Sequence, residues 1–271
     1  MKVGDITEHM SKNTSSLEHS LSGALFLALY HNLSLWDAPF TKAQSTLIIT
    51  VLQKHSSNLS LCRSGISIIH SLSESPETLP HIATPESISS LVDLLRTHCL
   101  HEDVATVLCT TISALVFAVE PLQPVLLKCG GPDVLLQTLS AHPGNDQICK
   151  SVCDVLVYLS SAPGVSSAMS GCIPGITKAL GALVGDPATC GCLCEMLCHI
   201  LEGVYEKVKG EEELVGALLE VVRMYQNDVV VSGLACQVLG LIVQLSEDGL
   251  SYVWGLVEND PVLSKFIGNI F

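Results

Sequence analysis

The sequence predicts an all-α fold built from stacked helical repeats, and three observations predict it. Apolar residues recur at helical spacing through most of the chain. A leucine that closes an apolar segment returns at a nearly constant interval. Glycine, proline and short polar clusters fall between the segments, where helices must end. Self-similarity of this kind is the signature of repeat architectures, in which each unit buries its apolar face only against its neighbours.

The closing leucines are Leu33, Leu72, Leu115, Leu159, Leu201 and Leu245, spaced 39, 43, 44, 42 and 44 residues apart. A period of about 42 residues suits units of two or three helices and predicts a right-handed α-α superhelix of about six repeats. Residues 1–13 are polar and lack periodicity, so they are expected to form a loose N-terminal tail, with the repeat domain spanning 14–271. Thr84-Pro85 is placed to open a helix, because proline fits the first helical turn. Gly131-Pro132 opens a helix carrying Val134, Leu135, Leu136 and Leu139. After the polar turn His142-Pro143-Gly144-Asn145-Asp146, a second helix carries Ile148, Val152, Val155, Leu156 and Leu159 on one face. The next unit repeats this plan. Gly171 and Pro174 precede Ile176, Ala179, Leu180 and Leu183; the turn Gly185-Asp186-Pro187 precedes Cys190, Cys194, Leu197, Cys198 and Leu201. Gly130, Gly171 and Gly210 sit where a short helix meets a longer one, and positive φ is expected at each. At the C-terminal end, 248–259 is expected to form a short helix and 261–271 a second. The latter carries Val262, Leu263, Phe266, Ile267, Ile270 and Phe271 on one broad apolar face. Such an edge is expected to dock on another chain or to continue into further sequence, because solenoids end on polar caps.

Composition excludes several functions. Hydrophobic residues make up 48% of the 271 positions and aromatic residues only 4%, so the core must be built from Leu, Val, Ile, Ala and Cys. The formal charge is −14, and the 13 Lys and Arg residues are scattered, whereas nucleic-acid binding needs clustered cations. No nucleic-acid role is expected. The apolar stretch from Leu21 to Leu29 is too short to span a bilayer, and Glu8 and Glu18 precede it where a signal peptide would be basic. A cytoplasmic or nuclear protein without membrane association is expected. The 12 cysteines are then reduced thiols, and the sequons at Asn13, Asn32 and Asn58 go unused.

The segment endings His31-Asn32-Leu33-Ser34, His70-Ser71-Leu72-Ser73, Val157-Tyr158-Leu159-Ser160 and Val243-Gln244-Leu245-Ser246, together with the glycine-opened helices, resemble armadillo repeats over roughly residues 15–271. The turns His55-Ser56-Ser57-Asn58 and His142-Pro143-Gly144-Asn145 are similar to those of armadillo repeats that accompany kinase modules in large signalling proteins. The resemblance implies three helices per unit, with the third lining a concave groove. Armadillo peptide binders carry Trp-x-x-x-Asn on that helix. The matching pairs here are Ala28/Asn32, Ser67/Ser71, Thr110/Ala114, Asp154/Tyr158, Met196/Ile200 and Gly240/Gln244. Only Asn32 keeps the family residue, so recognition of a basic import peptide does not carry over. Asn32, Ser71, Asp154, Tyr158 and Gln244 are expected to offer polar contacts to a protein partner, with Met196 and Ile200 as an apolar floor.

No catalytic motif is found. The run from Cys190 to His199 is dense in zinc-ligating residue types, but Cys190, Cys194 and Cys198 fall on the predicted buried face, where free cysteine acts as a small hydrophobe. The ten histidines follow no motif, and several fall in inter-helix turns. Carboxylates at Glu102-Asp103 and Glu247-Asp248 lie where helices begin, and no phosphate-binding loop or nucleophile elbow occurs. The sequence therefore predicts a non-catalytic interaction scaffold with no cofactor and no metal. Two alternatives remain: an armadillo segment of a larger signalling protein, and a zinc- or cysteine-dependent enzyme using Cys190 to His199.

Overall fold

The structure, a computed structural model, describes residues 3–16, 18–20, 23–24, 41–162, 165–203, 211–245, 249–258, 260 and 263–264. Among these residues every regular element is helical. None of the helices is long and apolar enough to cross a membrane. The chain forms two compact units, Met1–His142 and Pro143–Phe271.

The first unit contains α1 (Val3–Lys12), α2 (Lys42–Lys54), α3 (Leu59–Ser73), the short α4 (Leu79–Ile82), α5 (Pro85–His98), α6 (Glu102–Ala118), α7 (Gln123–Lys128) and α8 (Gly131–Ala141). Helices α2, α5 and α8 pack in succession, α3 packs on α6, and α2 and α5 cross to α3 and α6. Short α4 packs on α2 and α3, and short α7 on α5 and α8. The second unit contains α9 (Asp146–Ser160), a 3-10 turn (Ser166–Cys172), α10 (Ile173–Ala182), α11 (Pro187–Glu202), α12 (Glu211–Met224), α13 (Val229–Leu245) and α14 (Gly249–Val257). Here α9, α11 and α13 pack in succession, and α10 packs on α12. Both units thus use one plan of a short helix, a middle helix and a longer third helix.

Side-chain caps set where the third helices begin. Asn58 accepts from the amide of Leu61 at 2.9 Å and Asn145 from that of Ile148 at 2.9 Å. Asp186 accepts from Ala188 and Thr189, and Asp228 from Val230 and Val231. Each satisfies amides that the first helical turn leaves without partners. His101 holds the equivalent place before α6 without a side-chain cap. Counted from these caps, the same core position is filled by Leu72, Leu115, Leu159, Ile200 and Ile242, all buried. Leu245, expected in that series, lies almost one turn further on and is only half-buried. The last residue of an apolar run is a poorer ruler than the cap, because apolar runs overshoot the packed position.

Two expectations about backbone are resolved separately. Gly130 adopts φ 71°, the left-handed conformation that lets α7 turn into α8. A Cβ at neighbouring Gly131 would stand 2.8 Å from the Leu126 carbonyl oxygen, so no larger residue fits there. Gly171 instead lies within the 3-10 turn, and Gly130 is the glycine with positive φ among the described residues. The corner before α10 is made by the 3-10 turn followed by Pro174 in the first turn of the helix. Gly210 lies outside the described residues. The loose tail is also corrected: Val3–Lys12 is helical, with Ile6 and Met10 buried. These two apolar residues four apart suffice for one packed row on a ten-residue helix. The helix expected over 248–259 is present as α14. The apolar residues Phe266, Ile267, Ile270 and Phe271 lie outside the described residues.

The turn histidines do follow a motif, at the period of the repeat. In the first unit, His55 Nε2 meets the Thr14 carbonyl oxygen at 3.0 Å, His98 Nε2 meets that of Ser56 at 2.6 Å, and His142 Nε2 meets that of Cys99 at 2.7 Å. In the second unit the Tyr225 hydroxyl donates to the Val184 carbonyl at 2.8 Å. Each ring or phenol follows a middle helix and reaches the equivalent turn one repeat earlier. A carbonyl oxygen can only accept, so Nε2 carries the proton in each rung.

Two stability predictions follow from the packing. Leu159→Ala should cost about 2–5 kcal/mol in denaturant unfolding, as a buried large-to-small change, and Leu245→Ala distinctly less. Equal costs would mean that the cap-based register is wrong. His98→Ala should cost about 1–3 kcal/mol by stranding the Ser56 carbonyl, and a neutral result would show that the histidine rungs carry no stability.

Candidate functional site

Sidedness along the third helices defines the candidate surface. Helix α11 is flanked by α9 and α13 and backed by α10 and the 3-10 turn. Only one stripe stays open: half-buried Cys192, exposed Glu195, half-buried His199 and exposed Glu202. Their spacing of 3, 4 and 3 residues is one face of a helix. On α9 the equivalent stripe, counted from Asn145, carries exposed Asp154 and half-buried Tyr158. On α13, counted from Asp228, it carries exposed Gln237 and half-buried Leu241.

Of the residues expected to meet a partner, the structure therefore keeps some and displaces others. Asp154 and Tyr158 share one face of α9, as expected. Ser71 is half-buried, and its hydroxyl donates to the Ser67 carbonyl at 3.0 Å. Gln244 is exposed but lies two turns beyond the register of Gln237. Asn32 lies outside the described residues. Met196 and Ile200 are corrected outright: both are 0% exposed and form core rather than floor. Glu195 and His199 replace them. The caps Asn145 and Asp186 are 41 residues apart, whereas the leucine count assumed 42, and one residue turns a helical side chain by about 100°. Matching the Asn and Asp caps in the sequence would have found this register.

The cysteines are almost all core. Cys190 and Cys194 are 0% exposed and Cys198 is buried. Burial pushes the Cys190 thiol up to about 12 and the Cys198 thiol to about 11, and raises Cys194 as well. Cys62, Cys109 and Cys236 are raised in the same way. A thiol held protonated in apolar surroundings is neither a nucleophile nor a metal ligand. No group of three or more His, Cys, Asp or Glu side chains among the described residues is placed to hold a metal ion.

Sequence reasoning also missed a serine–histidine pair. Ser160 Oγ lies 3.1 Å from His199 Nδ1, joining α9 to α11. It is not an activated nucleophile. The Ser160 hydroxyl donates its one proton to the Val157 carbonyl at 2.9 Å, so it accepts from His199 and has no proton to yield to it. Ser160 is also buried. A recess beside α1 and α2, lined by Thr7, Glu8, Thr41, Gln44, Leu47 and Thr50, offers no better chemistry. Glu8 is paired with Lys12 at 2.7 Å, and Thr50 donates to the Thr46 carbonyl.

No protein-family model matches the chain, and no curated protein matches it. Among the described residues every regular element is helical, and α9, α11 and α13 each leave one stripe open.

The thiol burial predicts a reactivity pattern. In the native protein, Cys190, Cys194 and Cys198 should resist a disulfide titrant at neutral pH and react only on unfolding. Rapid reaction of any of them would place it at the surface.

Proposed function

We propose that this chain is an armadillo-type solenoid acting as a non-catalytic scaffold that binds a protein partner along its third-helix face. The supporting observation is the aligned stripe on α9, α11 and α13, with Asp154, Glu195 and Gln237 outward and Tyr158, His199 and Leu241 beside them. Such a face offers hydrogen bonds, charge and an aromatic anchor along successive parallel helices, the arrangement by which repeat proteins grip extended segments. The armadillo assignment is supported by the three-helix plan, by Gly130 at its corner and by the recurring leucine and isoleucine after each cap. A cytoplasmic or nuclear location accords with the free cysteines.

The reading as an armadillo segment of a larger signalling protein is favoured by one feature. Trp254 and Leu256 on α14 are 45% and 46% exposed, an apolar patch that a neighbouring segment or partner would cover. The enzyme reading has little support, because Cys190, Cys194 and Cys198 of its cluster are buried with their thiols raised, and among the described residues no group of three or more His, Cys, Asp or Glu is placed to hold a metal ion.

Two double variants test the scaffold reading: Asp154→Ala with Tyr158→Ala, and Glu195→Ala with His199→Ala. Each should keep the wild-type circular dichroism spectrum and lose the same partners in quantitative affinity capture from cell extract. Retention of every partner by both variants would move the binding site to another surface.

A further inference from the structure

Three contacts show how α9 and α11 lie side by side. The Cys149 thiol pairs with the Thr189 hydroxyl, the Cys153 thiol with the Cys192 thiol, and Ser160 Oγ with His199 Nδ1 at 3.1 Å. The partners advance together, with offsets of 40, 39 and 39 residues. The helices therefore run in the same direction and in register, and the offset of 39 residues that joins Ser160 to His199 sets Cys153 opposite Cys192 across the seam. We propose that Cys153 and Cys192 form a reversible dithiol–disulfide pair that peroxide closes, covalently tying α9 to α11.

The two sulfurs differ in the way such chemistry needs. Cys192 is half-buried on the open stripe of α11, whereas Cys153 is buried. The neighbouring Cys153 thiol lowers the Cys192 thiol from its usual range, against burial and the carboxylates of Glu195, Asp154 and Asp186. That same contact, together with burial, keeps Cys153 protonated. The sulfur that peroxide reaches first is thus Cys192, and the hidden Cys153 is its resolving partner. In the first step the Cys192 thiolate attacks hydrogen peroxide; the O–O bond breaks, hydroxide leaves and Cys192 becomes a sulfenic acid. In the second, the Cys153 sulfur attacks the Cys192 sulfur, the S–O bond breaks, and the Cys153 proton leaves with the hydroxyl as water. The oxidant is reduced by two electrons and two thiols become one disulfide. A small-molecule dithiol reverses the bond by thiol exchange. Other buried cysteines lack this geometry. Cys149, one turn away on α9, faces Thr189 rather than a thiol.

The full chain tests the proposal. With equimolar hydrogen peroxide, intact mass taken before alkylation should fall by two hydrogens, and non-reducing digestion after alkylation should yield a linked Cys153–Cys192 peptide that dithiothreitol abolishes. In the untreated protein Cys192 should alkylate on the order of tenfold faster than any other cysteine. Cys153→Ser should halt the sequence at a Cys192 sulfenic acid, trapped by dimedone. Cys192→Ser should remove both the disulfide and the adduct. Circular dichroism checks that each variant folds, and the wild-type mass and peptide decide the matter if one does not. Ordinary alkylation of Cys192, a linked peptide joining other cysteines, or a dimedone adduct in the wild type without a disulfide would each overturn it.

Discussion

Within each unit the long helices bury their apolar surfaces against several neighbouring elements at once. Helix α11 is covered by no single partner. It shows the consequence most fully. With α9 on one side, α13 on the other and α10 behind, three of its faces are core, and Leu193, Cys194, Met196, Leu197 and Ile200 are all nearly inaccessible. The narrow remaining stripe is what α11 leaves open to solvent. The same constraint explains why small, unstrained Cys and Ala are common here, since helices packed on several sides need side chains that fill space without forcing the backbones apart.

Much of this was legible in the sequence, and the failures share a cause. Helical period, third-helix caps and the corner at Gly130 are local properties, set by the sterics and hydrogen bonding of a few adjacent residues. They were readable at Asn145, Pro85 and Gly130. Burial on a helix covered from several sides is not local. Met196 and Ile200 sit within one residue of the open stripe, and nothing in their own segment says that α13 covers them. Anchoring the repeat on the last leucine introduced an error of one residue at α11 and three at α13. Anchoring it on Asn58, Asn145, Asp186 and Asp228 removes both, because a cap is fixed by hydrogen bonds to particular amides.

The histidines make the same point from another side. His55, His98 and His142 looked unrelated, because a spacing of more than forty residues is invisible to any search for a local motif. Their partners are backbone carbonyls, which leave no trace in a sequence. Only the stacking of one turn upon the equivalent turn brings donor and acceptor together. Where the second unit lacks histidine, Tyr225 does the same work with a different donor, so the constraint lies in the exposed carbonyl rather than in the residue that satisfies it.

The seam between α9 and α11 is where packing and chemistry meet. Along it the fold sets Cys149 against Thr189, Cys153 against Cys192 and Ser160 against His199. In the last pair the serine proton is already committed to Val157, so the contact only orients the histidine ring. In the middle pair both groups are thiols, one buried and one near solvent, and Cys153 beside it lowers the Cys192 thiol from its usual range. Cys153 immediately precedes Asp154, and Cys192 lies one turn from Glu195. A covalent bond between the two sulfurs would thus fix the separation of the two helices whose outward carboxylates begin the open face. The register that makes that face continuous is therefore the register that brings the two thiols together, and a change in one would be felt by the other.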